Sequence, residues 1–269
     1  MASSSSSIAA DQAARLLSSF SSFLTVAVHS LLFHRALYPA RSFLTTRAYN
    51  LPVHQSRHPG VCAWVADAVA AIAAQIRSGA ARAVVLAVHA PQSMTVLERW
   101  VFDLQSFPAS WGDAAAAAGG GYRDNSDGPA AATGTDDLGA AGLESAAAAE
   151  AATAAAAEAG GEGQDEVNWT DVHEGLRGAL RRIAYAGEKS PPLPGNCTFT
   201  LAVELRQESE APIGHPQAWI PAEAKKHDAA AGRPDMNTAP IRSVRAGPLF
   251  FECWLEKKMQ AQESHDNNQ

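Results

Sequence analysis

The chain has 269 residues, 46% of them hydrophobic and 18% charged, so it can bury a substantial core and is too large for a peptide-sized disulfide scaffold. Its formal net charge is −7, but the stretch from Gly112 to Gly163 alone has nine acidic residues and a single arginine, which leaves the remainder near +1. The composition therefore lacks the strong basic excess of proteins that track nucleic-acid phosphates.

The cysteines Cys62, Cys197 and Cys253 are widely separated and form no CxxC pair, so their spacing indicates neither a disulfide framework nor a cysteine-rich zinc site. The Ser-rich N-terminus lacks the basic residues that begin a secretory signal. The apolar run that follows contains several serines and histidines, and we interpret it as too interrupted to span a bilayer. A soluble protein of a reduced compartment, cytosol or nucleus, is expected.

A long helix is predicted from about Ile8 to Leu37, because apolar residues recur there at intervals of three and four. The apolar surface is wide, which is typical of a central core helix, and Tyr38-Pro39 ends it. The next stretch is interpreted as irregular. His58-Pro59-Gly60 then starts a second helix that runs to Arg77.

A hairpin is predicted next. Ala83 to His89 is almost continuously apolar, as expected of a strand buried on both faces. Val96 to Leu104 alternates, which puts Trp100, Phe102 and Leu104 on one face. The polar stretch between the two segments supplies the turn.

Gly112 to Gly163 has a different composition: 21 of its 52 residues are Ala and 11 are Gly, with few large apolar side chains. It cannot bury enough surface to offset its ordering entropy, so a disordered insertion, looped out of one domain, is predicted. Helical spacing resumes at Trp169 and continues to Ile183, and the alternation from Cys197 to Arg206 predicts a strand.

The tail from Gln207 to Pro248 is rich in Pro, Ala and charge and is interpreted as a long irregular excursion, which in compact domains is usually functional. Leu249 to Glu256 alternates and predicts a last strand. In that strand Trp254 is out of phase with Phe251 and Leu255, so it is expected on the outer face as a docking residue. Trp219, alone in the excursion, is either a small-core residue or a partner anchor.

No catalytic motif is apparent. The pair His54 and His58 has a spacing that can ligate metal on a helix, but Pro59 follows at once and no acidic third ligand is near, so a surface or capping role is favoured. The chain's Gly-rich runs do not open a helix with a Lys-Ser/Thr step, which disfavours a phosphate loop. We expect no enzyme activity, cofactor or metal, although an unrecognised triad stays an open alternative.

Three segments nevertheless resemble the HORMA-domain family. They are Phe23 to Pro39 with its Tyr-Pro end, Tyr49 to Pro59 with Tyr-Asn-Leu-Pro-Val, and Gly195 to Leu205 with Cys-Thr-Phe-Thr. Within the family they look most like the branch of accessory, non-catalytic subunits of DNA polymerase zeta. The resemblance covers roughly residues 8–104 and 169–258.

The resemblance implies an α+β fold: three core helices packed on a mainly antiparallel sheet, with a C-terminal safety belt at residues 207–258. The domain would span residues 8–259 around the insertion at 112–163, between a disordered N-terminus at 1–7 and a disordered tail at 260–269. It also implies a nuclear adaptor in translesion synthesis, with a cytoplasmic pool as a second location. Such an adaptor traps a proline-containing motif of the polymerase zeta catalytic subunit under the belt.

The same resemblance implies three sets of contact residues. The trapped peptide would contact Trp64 and Trp219. The C-terminal domain of the deoxycytidyl-transferase translesion polymerase would contact Thr238, Glu252 and Trp254. A HORMA homodimer or heterodimer would use Arg177 and Ala36, with a plain exposed helix arginine as the alternative for Arg177.

A remodelling ATPase is a further partner that the resemblance implies, and direct contact with nucleic acid or membrane is not expected. Two other function classes stay open. A spindle-checkpoint or meiotic HORMA signalling protein would share the fold and the belt but trap a different peptide. An enzyme would show turnover or a bound cofactor.

Overall fold

The computed structural model describes residues 10–108, 111, 167–206, 219–220 and 236–258. Its helices are α1 (Ala10–His34), α2 (Pro59–Arg77) and α3 (Trp169–Lys189). Its strands are β1 (Phe43–Ala48), β2 (Leu51–Ser56), β3 (Ala81–His89), β4 (Val96–Asp103), β5 (Thr198–Leu205), β6 (Met236–Ala246) and β7 (Leu249–Lys258). The predicted insertion at 112–163 and the predicted termini at 1–7 and 260–269 lie outside the described residues, and most of the predicted belt does as well.

The helices confirm the periodicity analysis. Helix α1 is central and is buried around most of its circumference, with Phe20, Phe23 and Leu24 fully buried. Helix α2 has Pro59 at its first turn, where a proline needs no hydrogen-bond partner. Helix α3 begins at a capping residue, because the Asn168 side chain accepts hydrogen bonds from the backbone N–H groups of Thr170 and Asp171.

The main sheet has five strands in the order β5-β3-β4-β7-β6, and every neighbouring pair is antiparallel. Helices α1 and α3 pack on one face, where Trp100, Phe102 and Phe251 join the core. The predicted β3–β4 hairpin, the strand near Cys197 to Arg206 and the final strand are all confirmed. The α+β architecture expected from the resemblance, three helices and a mainly antiparallel sheet, is thus present.

Three strands contradict the expectation of irregular structure. Strands β1 and β2 form a separate hairpin whose two-residue turn, Tyr49 and Asn50, has φ values of 51° and 54°. Two positive φ values in succession are typical of a type I′ turn. The usual sequence signature of this turn is Asn-Gly, and the turn here has no glycine. Strand β6 lies inside the predicted excursion. Its Pro240, its bulge between Pro240 and Arg242 and its mostly exposed side chains weaken the alternation.

A buried ion pair connects the end of α1 to the sheet and to α3. The Arg35 guanidinium donates from Nε to Glu98 Oε2 at 2.9 Å and from Nη2 to Glu98 Oε1 at 2.8 Å. Its other N–H groups donate to the carbonyl oxygens of Gly187, Ser190 and Pro191. Trp100 Nε1 donates to Glu98 as well, at 3.2 Å. The five donors of the guanidinium are thereby satisfied without water.

Two helices, Asp11–His34 and Pro59–Arg77, are long and apolar enough to cross a membrane by length and composition. The core helices of soluble proteins pass the same test, so the expectation that the first run does not span a bilayer stays a prediction. In the folded chain, 72% of the Asp11–His34 window is buried inside the protein, as is expected of a core helix.

Candidate functional site

Strand β5 lies at one edge of the described sheet. One side of it pairs with β3 from Thr198 to Leu205, and no described strand pairs with its other side. At its end Arg206 donates to the carbonyl oxygens of Ala81, Leu104 and Phe107 at 3.3 Å each, which fixes the point where the strand stops. An edge strand of this kind offers a row of backbone N–H and C=O groups to an extended peptide.

Aromatic side chains surround the start of this edge strand. Phe199 of β5 meets the Trp64 ring edge-to-face, with centroids 5.3 Å apart at 89°, and meets the Tyr38 ring at 6.2 Å and 79°. Trp64 projects from α2 and is 38% exposed, so its ring is only half covered by the chain. These contacts place an accessible aromatic surface beside the unpaired edge of β5.

Trp219 is the second residue that the resemblance assigns to the trapped peptide. It is partly buried and packs against the main core, whereas the neighbouring Ile220 is 90% exposed. Its indole Nε1 is buried and has no hydrogen-bond partner in the described part of the chain. Because a buried N–H group without a partner is costly, this atom is a donor available to a bound acceptor.

The sheet order shows how the chain must run between β5 and β6. The antiparallel pairings give these two edge strands the same direction, so the connection at residues 207–235 has to return from the end of one strand to the start of the other. The two strands also lie at opposite edges, about 19 Å apart at ordinary strand spacing. The C-terminal hairpin pairs with β4 rather than β5, so among the described strands only β3 pairs with β5.

A second surface lies on the sheet face opposite the helices. Thr238 pairs with Glu256, and Pro240 pairs with Trp254, so the predicted residues Thr238, Glu252 and Trp254 share this face. Trp254 is half-buried against a small apolar patch of β3 and β4. Its Nε1 donates to Glu256 Oε1 at 2.9 Å.

The charged residues beside Trp254 form one network. Arg99 pairs with Glu256 and, at 2.5 Å, with Glu204. These charged side chains border the apolar patch against which Trp254 packs. Trp254 lies on the sheet face opposite the helices, so its expected outward orientation is confirmed.

The residues predicted at a dimer contact lie on the helical side. Arg177 on α3 is half exposed and forms an ion pair with Glu174 one turn earlier. Ala36 is exposed just beyond α1. The ion pair fits the plain reading of Arg177 as a surface arginine, and its dimer role stays a prediction.

The described titratable groups form no arrangement suited to metal binding: no cluster of three His, Cys, Asp or Glu side chains occurs among them. His54 stacks on Phe33 with ring centroids 3.5 Å apart, and His58 is the N-cap residue of α2, so the two do not share a helix face. Burial raises the pKa of the Cys253 thiol to about 12, which keeps it protonated and unreactive.

Tyr38 and Phe199 are members of the site that sequence reasoning missed. The Tyr38-Pro39 step was interpreted as a helix end, and the alternation from Cys197 to Arg206 predicted only a strand, with no role for Phe199. The sequence held no signal for them, because the edge position of β5 and its ring contacts follow from the tertiary structure.

Comparison with known proteins agrees with this architecture. Residues 17–247 match the HORMA domain family. The DNA polymerase zeta processivity subunit of Schizosaccharomyces pombe is 27% identical over 241 residues, which cover 88% of this chain and 91% of that protein. The mitotic spindle assembly checkpoint protein MAD2B of Danio rerio is 33% identical over 86 residues, or 32% of this chain and 40% of that protein.

Solved structures show the same fold at low sequence identity. A chain of the mitotic checkpoint complex aligns with a TM-score of 0.56 and 19% identity, covering 89% of this chain and 97% of that one. Caenorhabditis elegans HTP-2 bound to the HIM-3 closure motif aligns with a TM-score of 0.53 and 10% identity, covering 88% of each chain. With the family match spanning most of its length, the chain belongs to the HORMA-domain family.

Proposed function

We propose that this chain is a non-catalytic accessory subunit of DNA polymerase zeta that traps a proline-containing peptide of the catalytic subunit. The observation that carries the proposal is the unpaired edge of β5 with the half-exposed Trp64 beside it. An added peptide strand gains main-chain hydrogen bonds at this edge, and Trp64 and Phe199 provide an aromatic surface for its side chains.

Trp219 supports a belt over that peptide. Its position in the connection from β5 to β6, packed on the core with a buried unpaired N–H, suits a residue that closes over a ligand and donates to a peptide carbonyl. Release of a peptide held in this way requires local opening, so dissociation is slow without a large interface. The name of the Schizosaccharomyces pombe relative supports the polymerase, and the closure motif bound to HTP-2 supports the peptide-trapping class.

The other partner surfaces are part of the same proposal. Thr238, Glu252 and Trp254 would receive the C-terminal domain of the deoxycytidyl-transferase translesion polymerase, which places the protein in DNA damage tolerance in the nucleus. Arg177 and Ala36 would meet a second HORMA domain, and a remodelling ATPase would act on the belt. A checkpoint or meiotic signalling role is the second candidate, favoured by the fold shared with the mitotic checkpoint complex and HTP-2.

Affinity for a labelled proline-containing peptide of the catalytic subunit, measured with thermal stability on the same variants, tests the proposal. Trp64→Ala and Trp219→Ala should each weaken binding by about 2–4 kcal/mol, as buried aromatic anchors do, and the double variant should lose less than the sum. Trp254→Ala is the matched control, because it removes an indole from the opposite sheet face and should leave peptide affinity unchanged.

Two results would contradict the proposal. If peptide affinity is unchanged while the melting temperature falls sharply, both tryptophans are core residues and the trapped-peptide assignment fails. If a checkpoint-derived motif binds at least tenfold more tightly than the polymerase-derived motif, the second candidate replaces the first.

A further inference from the structure

A groove lies between the end of α1, strand β2, helix α3 and strand β6, and its lining residue Gly178 directly follows Arg177, one of the predicted dimer residues. Its volume is about 700 Å³. Leu51 and Pro52 of β2 form one wall, and Leu180, Ala184 and Tyr185 of α3 form the other. The Tyr185 ring is 57% exposed, so the groove has an accessible aromatic rim as well as an apolar floor.

Three arginines give this groove its charge. Arg181 and Arg182 lie on α3, Arg242 comes from β6, and all three are exposed. None of them has a carboxylate partner within the described ranges, and Glu188 is the single acidic residue among those that line the groove. Burial lowers the pKa of His34 and that of His54, which also line it, so the imidazoles are neutral near pH 7. The net positive charge is therefore that of the guanidinium groups.

Arg242 reaches the groove because α3 has a glycine where the side chain passes. A Cβ atom placed on Gly178 would lie 2.8 Å from Arg242 Cζ and 3.0 Å from its Nη2, closer than real Cβ contacts allow. The guanidinium therefore occupies the space that a side chain at position 178 would need. Since β6 belongs to the C-terminal hairpin, the third arginine is in place only while that hairpin is docked beside α3.

We propose that this groove binds an acidic peptide segment of a partner protein, with carboxylates on Arg181, Arg182 and Arg242 and an apolar side chain between Pro52 and Tyr185. Guanidinium groups bind carboxylates in a bidentate way, and removing them from solvent between apolar walls strengthens that pairing. A nucleic acid fits less well, because tracking a phosphate backbone needs an extended basic face, whereas here the three arginines lie around a single groove. This surface is separate from the β5 edge and does not depend on the identity of the trapped peptide.

Fluorescence anisotropy with a labelled peptide of six glutamates interspersed with two leucines, added to the full chain at low ionic strength, tests the proposal. Arg242→Ala should weaken binding at least tenfold. Arg245→Ala is the matched control, because it removes the same charge from the same strand at a residue whose guanidinium stacks on Phe250 instead. Gly178→Ala should also weaken binding at least fivefold without lowering the melting temperature, because the new methyl group displaces only the flexible end of Arg242.

Several outcomes would overturn the proposal. Equal losses for Arg242→Ala and Arg245→Ala would show unspecific charge attraction. Equal or tighter binding of a single-stranded dT12 oligonucleotide at the same groove would assign it to nucleic acid. Loss of probe binding as the chain self-associates, followed by sedimentation velocity, would assign it to a second copy. If replacing residues 112–163 by a short linker raises the affinity for the labelled peptide more than tenfold, the groove binds the chain's own acidic segment instead.

Discussion

At the residue scale, the two charged side chains buried in the described core pair with each other. Arg35 and Glu98 are both nearly inaccessible, and every strong donor of the guanidinium has an acceptor. A charge removed from water is tolerated only when it is paired and hydrogen-bonded in this way. The pair therefore fixes the position of the α1 terminus relative to β4 and α3, and each partner needs the other.

Glu98→Ala should be severely destabilising, by about 3–5 kcal/mol, because it leaves the Arg35 guanidinium buried without a counter-charge. Chemical denaturation of the variant gives the free energy of unfolding. The double variant Arg35→Met/Glu98→Leu should lose less than Glu98→Ala, since no charge remains buried. Arg177→Ala, at the exposed ion pair with Glu174, is the control and should change stability by less than about 0.5 kcal/mol. Comparable losses at both sites would refute the role of burial.

His29 should make stability depend on pH. Burial lowers the pKa of His29 from 6.5 to about 4, and its Nδ1 accepts the Ser56 backbone N–H, so the folded state holds the ring neutral. Between pH 6.5 and 4 the unfolded chain binds the proton and the folded chain does not. This contribution to stability is present above pH 6.5 and is lost as pH falls, by on the order of 3 kcal/mol in total.

The measurement is the unfolding free energy of wild type and His29→Gln from pH 7.5 to 4. Glutamine keeps an acceptor but does not titrate, so the variant should lose less stability over this range than wild type. Parallel curves for wild type and His29→Gln would contradict the assignment.

At the element scale, α1 ends in a Schellman motif with an unusual residue. The Leu37 N–H donates to the Leu32 carbonyl and the Ala36 N–H to the Phe33 carbonyl, each at 3.0 Å. Ala36 has φ of 51°, the left-handed conformation that glycine occupies at most helix ends of this type. The methyl group of Ala36 is exposed, so it contributes strain and little packing.

Ala36→Gly should therefore stabilise the protein by about 0.5–1 kcal/mol, the strain relieved less the extra entropy of an unfolded glycine. Gly247→Ala provides the opposite test. It has φ of 57° in the β6–β7 turn and open space around its Cβ position, so the added methyl group should cost about 1 kcal/mol through the backbone alone. Thermal and chemical denaturation of both variants show whether each substitution raises or lowers the free energy of unfolding. A lower stability for Ala36→Gly would mean that the methyl group of Ala36 makes a contact in solution.

The elements show where sequence reasoning succeeds. The period of α1 and the alternation of Trp100 and Phe102 are local signals, and they predicted core elements correctly. Strand β6 was missed because its side chains are mostly exposed, so no alternation exists to detect. The approach of Arg242 to Gly178, by contrast, joins a strand to a helix distant in sequence, and no spacing within either element encodes it.

At the scale of the whole molecule, the two sides of the described sheet differ. The C-terminal hairpin lies on the β4 side, and no described strand pairs with the outer side of β5. The positions Trp64 and Trp219 came from the family resemblance rather than from periodicity, and their meeting around one peptide stays a prediction. The aromatic neighbours Tyr38 and Phe199 depended on tertiary contacts, which a single sequence does not supply.

Replacing residues 112–163 by a short Gly/Ser linker should leave the free energy of unfolding within about 1 kcal/mol of wild type. The segment contains few large apolar side chains, and the entropy of loop closure changes only slowly with loop length. The residues that frame it, Trp111 and Val167, are buried in the main core and should stay anchored in the variant. Denaturation curves test this prediction, and Trp111→Ala in the shortened chain is the control, because losing that core indole should cost about 3–5 kcal/mol. Unfolding of the shortened chain itself would mean that the segment contributes to the core despite its composition.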